Sequence, residues 1–287
     1  MELKVNKLTK QYGKKVAVDH VSFDLKAGII GLLGANGSGK TTLMRMIVDV
    51  LQPDSGEVSY NGSPIQTLKE QYLENLGYMP QHLGMYPNFS VQEFLMYMGS
   101  LKGLSKAYTK ERIDILLKEL NLAGQRKKKI KQLSGGMKQR LGIVQCLLND
   151  PSIIILDEPT VGLDPKERNH FSLLLSKLAV DKIILLSTHI VSDVENIANE
   201  IMIMKEGSIV DQDTPQSLIS RLQGKVYEKE VSLPELQALS HHVLICNQRN
   251  TSTGIVLRFI SEQSYEGANV VEPTLNDVYL YHFEEEA

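Results

Sequence analysis

The sequence predicts an α/β fold, and three observations carry that prediction. First, Ile153-Ile154-Ile155-Leu156 and Ile183-Ile184-Leu185-Leu186 are continuous apolar runs, the pattern of parallel strands buried on both faces. Second, Ile29-Ile30-Gly31-Leu32-Leu33 is a similar short run, and it enters Gly34-Ala35-Asn36-Gly37-Ser38-Gly39-Lys40-Thr41-Thr42. That stretch has the spacing of a phosphate-binding loop: glycine, four residues, glycine, lysine, then a hydroxyl residue. Third, Leu43, Ile47, Val50 and Leu51 recur at helical spacing, so the loop joins a strand to a helix as the motif requires.

The residue types in the loop have physical reasons. Gly34, Gly37 and Gly39 let the backbone turn tightly and bring its N–H groups, including those of Asn36, Ser38 and Thr42, against phosphate oxygens. The helix that follows aims the positive end of its dipole at the same oxygens. Lys40 supplies a point charge for the terminal phosphates, and the Thr41 hydroxyl is placed to ligate Mg²⁺.

The bulk numbers bound the alternatives. A chain of 287 residues, 42% hydrophobic and 23% charged, has the composition of a water-facing globular protein, one large domain or a domain with an appendage. A net charge of −3 gives no reason to expect nucleic acid as the main partner. Cys146 and Cys246 lack metal-ligand spacing and suggest a reducing compartment. The opening Met1-Glu2-Leu3-Lys4 is unlike a signal peptide. No apolar run approaches the roughly 20 residues of a membrane helix, so the polypeptide is expected to sit outside the bilayer.

In chain order, Glu2 to Val5 and Val16 to Leu25 alternate like strands around a turn at Tyr12-Gly13-Lys14-Lys15. Tyr12 is either a buried strand-end residue or a flat surface for a nucleobase to stack on. Pro53-Asp54-Ser55-Gly56 reads as a turn, Glu57 to Tyr60 as a strand, and Asn61-Gly62 as a hairpin. A small antiparallel sheet therefore accompanies the parallel one. Gln81 follows the strand Gly77-Tyr78-Met79-Pro80. From His82 to Leu120 the texture is helical, and most of Met85, Tyr86, Phe89, Phe94, Met96, Tyr97 and Met98 suit a helical subdomain's own core. Some of Met85, Tyr86 and Phe89 suit a groove for a partner helix instead. The run Arg126-Lys127-Lys128-Lys129-Ile130-Lys131 suits a solvated loop or attraction to anionic headgroups.

Leu133-Ser134-Gly135-Gly136-Met137-Lys138-Gln139-Arg140 predicts a second anion-binding element. Ser134 is a good N-cap, and two glycines in the first turn cost about 1 kcal/mol each. Bare N–H groups at a helix start are the return for that cost. The strand Ile153 to Leu156 ends in Asp157-Glu158-Pro159-Thr160, at the sheet edge where such folds place ligands. Adjacent strand residues point to opposite faces, so the acids divide the work: Asp157 to hold Mg²⁺, Glu158 to orient and deprotonate an attacking water. His189, at the end of the next strand, is placed to contact a phosphate oxygen or is a satisfied loop histidine. A helix is expected over Ser192 to Ala198, and Ile201 to Met204 pairs with Ser208 to Val210 around Glu206-Gly207. Beyond about Pro215, strands at Lys225 to Val231, His241 to Cys246 and Gly254 to Ile260 alternate with weak helix signals. They predict an appended α+β subdomain, too small to be stable unless docked.

Taken together these residues closely resemble the ATP-binding subunits of ABC transporters, P-loop NTPases of the ABC ATPase type. The likeness covers about residues 2–215 and is carried by ordered motifs. These are the phosphate loop Gly34 to Thr42, Gln81 in the Q-loop position, and Leu133-Ser134-Gly135-Gly136-Met137-Lys138-Gln139 as the signature. Ile153 to Glu158 stands as the Walker B strand, Gly162-Leu163-Asp164 as the D-loop and His189 as the switch histidine. Ala35 stands where the family often has proline.

The resemblance implies an ATPase domain over 1–215, with a helical subdomain over about 82–150, and an accessory subdomain over 216–287. It implies that two domains, as homodimer or heterodimer, pack head to tail. ATP on Lys40 and Thr41 of one would then be covered by Ser134, Gly135 and Gly136 of the other. Tyr12 would stack on adenine, and Gln81 would sense Mg²⁺ and water and link the site to the helical subdomain. Glu158 and His189 would drive hydrolysis, and Asp157 with Thr41 would hold the metal. The transmembrane permease would be a separate polypeptide, placing this subunit on the inner face of the cell membrane. Glu272-Pro273-Thr274-Leu275-Asn276-Asp277-Val278-Tyr279-Leu280 resembles the C-terminal extension of bacterial exporter subunits for drugs, peptide antibiotics or ions. A soluble ABC ATPase of translation or DNA repair is the alternative. Such proteins carry tandem loops and signatures, or a coiled coil or zinc module between loop and signature, and neither pattern occurs here. A regulatory ATPase on a membrane complex is a further alternative.

Overall fold

The computed structural model describes residues 1–239, 242–252 and 254–283. Strands β1 (Leu3–Tyr12) and β2 (Lys15–Leu25) form an antiparallel ribbon with Tyr12 opposite Lys15, so the first strand runs well past Val5. Next come β3 (Gly28–Leu33) and helix α1 (Lys40–Ile47). Strand β4 (Ser55–Tyr60) pairs with β1 and turns through Asn61-Gly62 into β5 (Ser63–Pro64). Both turn residues have positive φ, +49° and +83°, as a tight hairpin requires. Ser55 and Gly56, expected in the preceding turn, already belong to β4. Asp54 holds that corner, accepting from Lys10 Nζ and the Gln11 N–H at 2.7 Å each.

Two short helices, α2 (Ile65–Leu68) and α3 (Glu70–Glu74), lead to β6 (Leu76–Met79). Residues 82–90 are loop and not helix, since Gly84 and Pro87 interrupt them. The helical layer begins at α4 (Val91–Leu101), whose capping box pairs the Ser90 and Glu93 side chains with each other's backbone N–H. It continues through α5 (Lys106–Glu119) and α6 (Gly135–Leu147). Then follow β7 (Ile153–Asp157), α7 (Pro165–Leu178), β8 (Ile183–Thr188), β9 (Glu200–Lys205), β10 (Ser208–Asp213) and α8 (Pro215–Ser220).

The central sheet has the order β10-β9-β3-β8-β7-β6, parallel except for β10 at one edge. Every residue of β3, β7 and β8 is buried, which is what their unbroken apolar runs require. Alternate side chains serve opposite faces. Ile30, Leu32, Ile153, Ile155, Ile183 and Leu185 pack with α1 and the antiparallel sheet. Ile29, Leu33, Ile154, Leu156, Ile184 and Leu186 pack under the helical layer. Each such side chain contributes about 1.5–3 kcal/mol of burial, and the two faces fix the ends of β3, β7 and β8 side by side.

Residues 192–198, expected as a helix, form only a 3₁₀ turn over Val191–Asp193 followed by turns. The Asp193 side chain is drawn inward to accept from Thr160 and Thr188, and Asn199 Oδ1 accepts the Ile29 N–H at 2.8 Å. These tertiary bonds outweigh the weak local helix preference.

The C-terminal region contains β11 (Val226–Val231), α9 (Leu233–Leu239), β12 (Leu244–Asn250), β13 (Ile255–Ile260), β14 (Asn269–Val270) and α10 (Leu275–Phe283). Its sheet has the order β12-β13-β11-β14. The strand expected from His241 to Cys246 begins at Leu244 and runs to Asn250; His241 lies outside the described residues. Its polar second half, Asn247 to Asn250, is exposed on an edge strand, where alternation carries no signal.

Tyr227, Val231, Leu257 and Phe259 make a small core there. Val226, Ile260, Leu275 and Val278 belong to the main core instead, so the extension is fused to the body. Arg258 spans the seam, meeting Asp277 at 3.0 and 2.7 Å. Burial would raise the Asp277 carboxyl, but Arg258 and the Thr274 N–H and hydroxyl together hold it below the usual range. Asp277→Ala is expected to cost about 3 kcal/mol, because it leaves a largely buried guanidinium with Glu228 as its remaining counter-charge among the described residues. A melting temperature lowered by roughly 10 °C would report this, and an unchanged one would contradict it. The native carboxyl titrates below its unfolded value. The contribution is therefore present above the ordinary carboxylate range and fades as pH falls below it.

Candidate active site

The site is built at the C-terminal ends of β3, β7 and β8. After β3 the backbone packs so closely that side chains are excluded. A Cβ on Gly34 would lie 2.5 Å from the Met204 carbonyl, and one on Gly39, at φ +109°, would lie 2.2 Å from the Ala17 carbonyl. Gly39 occupies the N-cap of α1 without a side-chain cap, leaving the first-turn N–H groups open to an anion. Ser38 Oγ is buried without a hydrogen-bond partner among the described residues. An unmet buried hydroxyl beside an open helix start fits a phosphate ligand.

Lys40 is buried, its ammonium donating to the Gly34 carbonyl at 2.7 Å and the Ala35 carbonyl at 3.0 Å. Burial lowers its pKa, against the nearby Glu158 and Asp157 carboxylates, which favour the charge. Asp157 is fully buried. Its oxygens accept from Thr41 Oγ1 at 2.8 Å and Ser187 Oγ at 2.6 Å, the compensation a buried carboxylate needs. The Thr41–Asp157 pair presents two hard oxygens side by side. Mg²⁺ takes one or two protein oxygens together with phosphates and waters, so this donor set fits the ion.

Glu158 has φ +52°, a conformation costing a non-glycine residue roughly 1–3 kcal/mol unless its surroundings enforce it. They do. Its N–H meets both the carbonyl and the hydroxyl of Ser187 at 3.1 Å, and its carbonyl accepts from Gln139 Nε2 at 3.1 Å. His189, with a half-exposed ring, directs Nδ1 to the Glu158 carboxylate oxygens at 2.8 and 3.0 Å.

A cavity of about 410 Å³ brings these parts together. Asn36, Gly37, Gly39, Lys40, Thr41 and Thr42 line one side, with Tyr12, Gln81 and Glu158 across from them. Tyr12 is half exposed at its mouth, so the buried alternative for that residue is excluded. Ser134, Gly135 and Gly136 do not line this cavity. Ser134 caps α6, accepting the Met137 N–H at 3.3 Å, and it and Gly135 are exposed. A second, larger cavity of about 870 Å³ lies on the helical layer between Phe89, Met96 and the basic residues Arg126, Lys127 and Lys129. It holds neither a phosphate loop nor an acidic pair.

Sequence inspection singles out neither Lys15 nor Ala17, which also line the smaller cavity. It also passes over the roles of Ser187, Gln139 and Asp193, whose contacts are long-range. Ser187 and Gln139 at least fall inside stretches that already stand out.

Comparison with known proteins gives one consistent result. The family model described as "ABC transporter" matches residues 18–161. The Nod factor export ATP-binding protein I of Paraburkholderia xenovorans (strain LB400) is 37% identical over 76% of this chain and 72% of its own length. The linearmycin resistance ATP-binding protein LnrL of Bacillus subtilis (strain 168) is 36% identical over 77% and 72% respectively. A solved ATP binding subunit of an ABC transporter superposes with TM-score 0.71 at 29% identity, covering 83% of this chain and 99% of that one. A dimeric ATP-binding cassette in a post-hydrolysis state, bound to ADP and Pi, gives 0.68 at 26%, covering 74% and 98%.

Proposed function

The chain belongs to the ABC transporter family of ATP-binding proteins, and from that premise we propose that it is the Mg²⁺-dependent ATPase subunit of an exporter. Residues 1–215 would be the ATPase domain, about 82–150 its helical subdomain and 216–287 an accessory subdomain. Its work would be to power a separate transmembrane permease from the inner face of the membrane. No helix among the described residues is long and apolar enough to cross a bilayer. Export is favoured by the relatives, a Nod factor exporter subunit and a linearmycin resistance subunit.

One observation carries the reading: Lys40, Thr41, Asp157, Glu158 and His189 converge beside the phosphate loop, while the Ser134 helix start faces solvent elsewhere. A site so divided would be half of a pair. The loop of one subunit would cradle ATP through its N–H groups and Lys40, with Tyr12 against the base. Ser134, Gly135 and Gly136 of a second subunit, the same or a similar chain, would close it, as head-to-tail packing requires. Thr41 and Asp157 would hold Mg²⁺, with Gln81 beside them; the ion neutralises phosphate charge when bound. Glu158 would orient the attacking water and accept its proton, while His189 fixes the carboxylate and reaches toward the phosphate. The larger cavity, lined in part by Phe89 and Met96, is where the permease would dock.

Substituting Ser134 by arginine tests the pairing. ATP should drive the parent chain to dimers in light scattering. The variant should bind ATP yet stay monomeric, with turnover at least about tenfold lower, the loss of one transition-state contact. An ATP-dimerising variant with parental turnover would refute the shared site.

A further inference from the structure

We infer that Asp193 is a positioning residue for ATP hydrolysis, a clamp that holds the segments carrying Glu158 and His189 in register beyond the end of the sheet. This rests on the assignment of Glu158 and His189 given above. The β7–β8 ladder ends where Asp157 pairs with Ser187. Past that rung β7 ends, while β8 runs one residue further, to Thr188, which pairs with Leu33 of β3. Glu158 still reaches Ser187 through its N–H, but Thr160 and His189 lie beyond both strands.

Asp193 adds a tie between the two segments beyond the ladder. One carboxylate oxygen accepts from both Thr160 Oγ1, at 2.5 Å, and Thr188 Oγ1, at 3.2 Å. Thr160 lies two residues after Glu158, and Thr188 immediately precedes His189. Thr188 Oγ1 also accepts the Ile190 N–H at 2.9 Å, so the peptide after His189 is held to the same hydroxyl. The other Asp193 oxygen faces Arg168 Nη1 at 3.5 Å, and Arg168 Nε donates to the Leu163 carbonyl at 3.3 Å. One buried carboxylate thus ties together the stretch after β7, the turn after β8 and the loop into α7.

Asp193, Thr160 and Thr188 are all buried, and Asp193 lines no part of the nucleotide cavity. Burying a carboxylate is expensive, and hydroxyl donors to a charged acceptor make strong, mutually reinforcing bonds. Ser187 and Gln139 enforce the φ of Glu158, and the clamp anchors Thr160 two residues further on, adding to the neighbours that over-determine a strained residue. Displacing a catalytic group by about 1 Å costs on the order of 100-fold in rate.

The test compares the parent chain, Asp193→Ala, Asp193→Asn and Glu158→Gln for steady-state ATPase activity and for binding of a fluorescent ATP analogue. Asp193→Ala should lower kcat about 10- to 100-fold while KM and analogue affinity stay within about threefold, the signature of lost transition-state alignment. Asp193→Asn should recover most of the rate, because its amide oxygen still accepts both hydroxyls. Should the alanine variant fail to fold, Thr160→Val removes one hydroxyl at constant volume and should lower kcat with binding retained. A folded Asp193→Ala, or in its place Thr160→Val, with parental kcat overturns the clamp. So does an asparagine variant as slow as the alanine one, which would shift the role to the charge pair with Arg168. Glu158→Gln separates the two levels: a fully active Glu158→Gln removes the site assignment itself. An inactive one beside a parental Asp193→Ala removes only the clamp.

Discussion

Glu158→Gln is expected to abolish turnover, by about 10²- to 10⁴-fold in kcat, and to leave ATP binding intact. The amide matches the carboxylate in shape but cannot take a proton. It can still accept from His189 Nδ1, which lies 2.8 Å from one carboxylate oxygen. Its backbone would keep the φ of +52° set by Ser187 and Gln139, so the binding half of the site is undisturbed. With the chemical step blocked, ATP-bound dimer should accumulate and be visible by light scattering, and its decay should be slow. Hydrolysis near the parental rate would show that the proton goes elsewhere.

The second large effect is on binding. Lys40→Ala should weaken ATP at least about 100-fold, because it removes the buried ammonium beside the phosphate loop and the charge-assisted bonds it can make. Lys15, which also lines the cavity, sits on the β1–β2 turn rather than in the loop. In the present structure that ammonium is folded back onto the Gly34 and Ala35 carbonyls at 2.7 and 3.0 Å. It therefore needs only a local swing to meet a phosphate. Equilibrium binding of a fluorescent analogue measures the loss, and unchanged affinity would remove the phosphate-loop premise. Circular dichroism should be unaltered, since alanine favours the start of α1.

What the sequence made legible is what local chemistry determines. The apolar runs of β3, β7 and β8 and the glycine spacing before Lys40 need no partner to be recognised. The Asn61-Gly62 hairpin and the Ser134 cap likewise announce themselves within a few residues. The rest depends on contacts between distant segments. Asp193 sits in a short acidic-polar stretch that looks like the start of a helix, and its inward turn is explained by Thr188 together with Thr160, 33 residues earlier. The 82–90 loop has apolar residues at helix-like density, yet Gly84 and Pro87 decide the outcome. The docking of α10 into the main core follows from Leu275 and Val278, whose spacing says helix without saying against what. Of the candidate site residues, the structure gathers those of the phosphate loop with Tyr12, Gln81, Asp157, Glu158 and His189, and sets Ser134, Gly135 and Gly136 apart from the cavity.

Gln139 gives this separation a mechanical side. Its amide, about one turn from the exposed start of α6, grips the peptide oxygen of Glu158 at 3.1 Å. The tether is short and passes through a buried side chain, so it transmits displacement with little slack. A tilt of α6 at the subunit's rim would pull on a peptide whose torsion is already off its minimum. The tilt becomes a change in where the acid's oxygens aim, in the manner of a trigger linkage with its spring loaded at the sear.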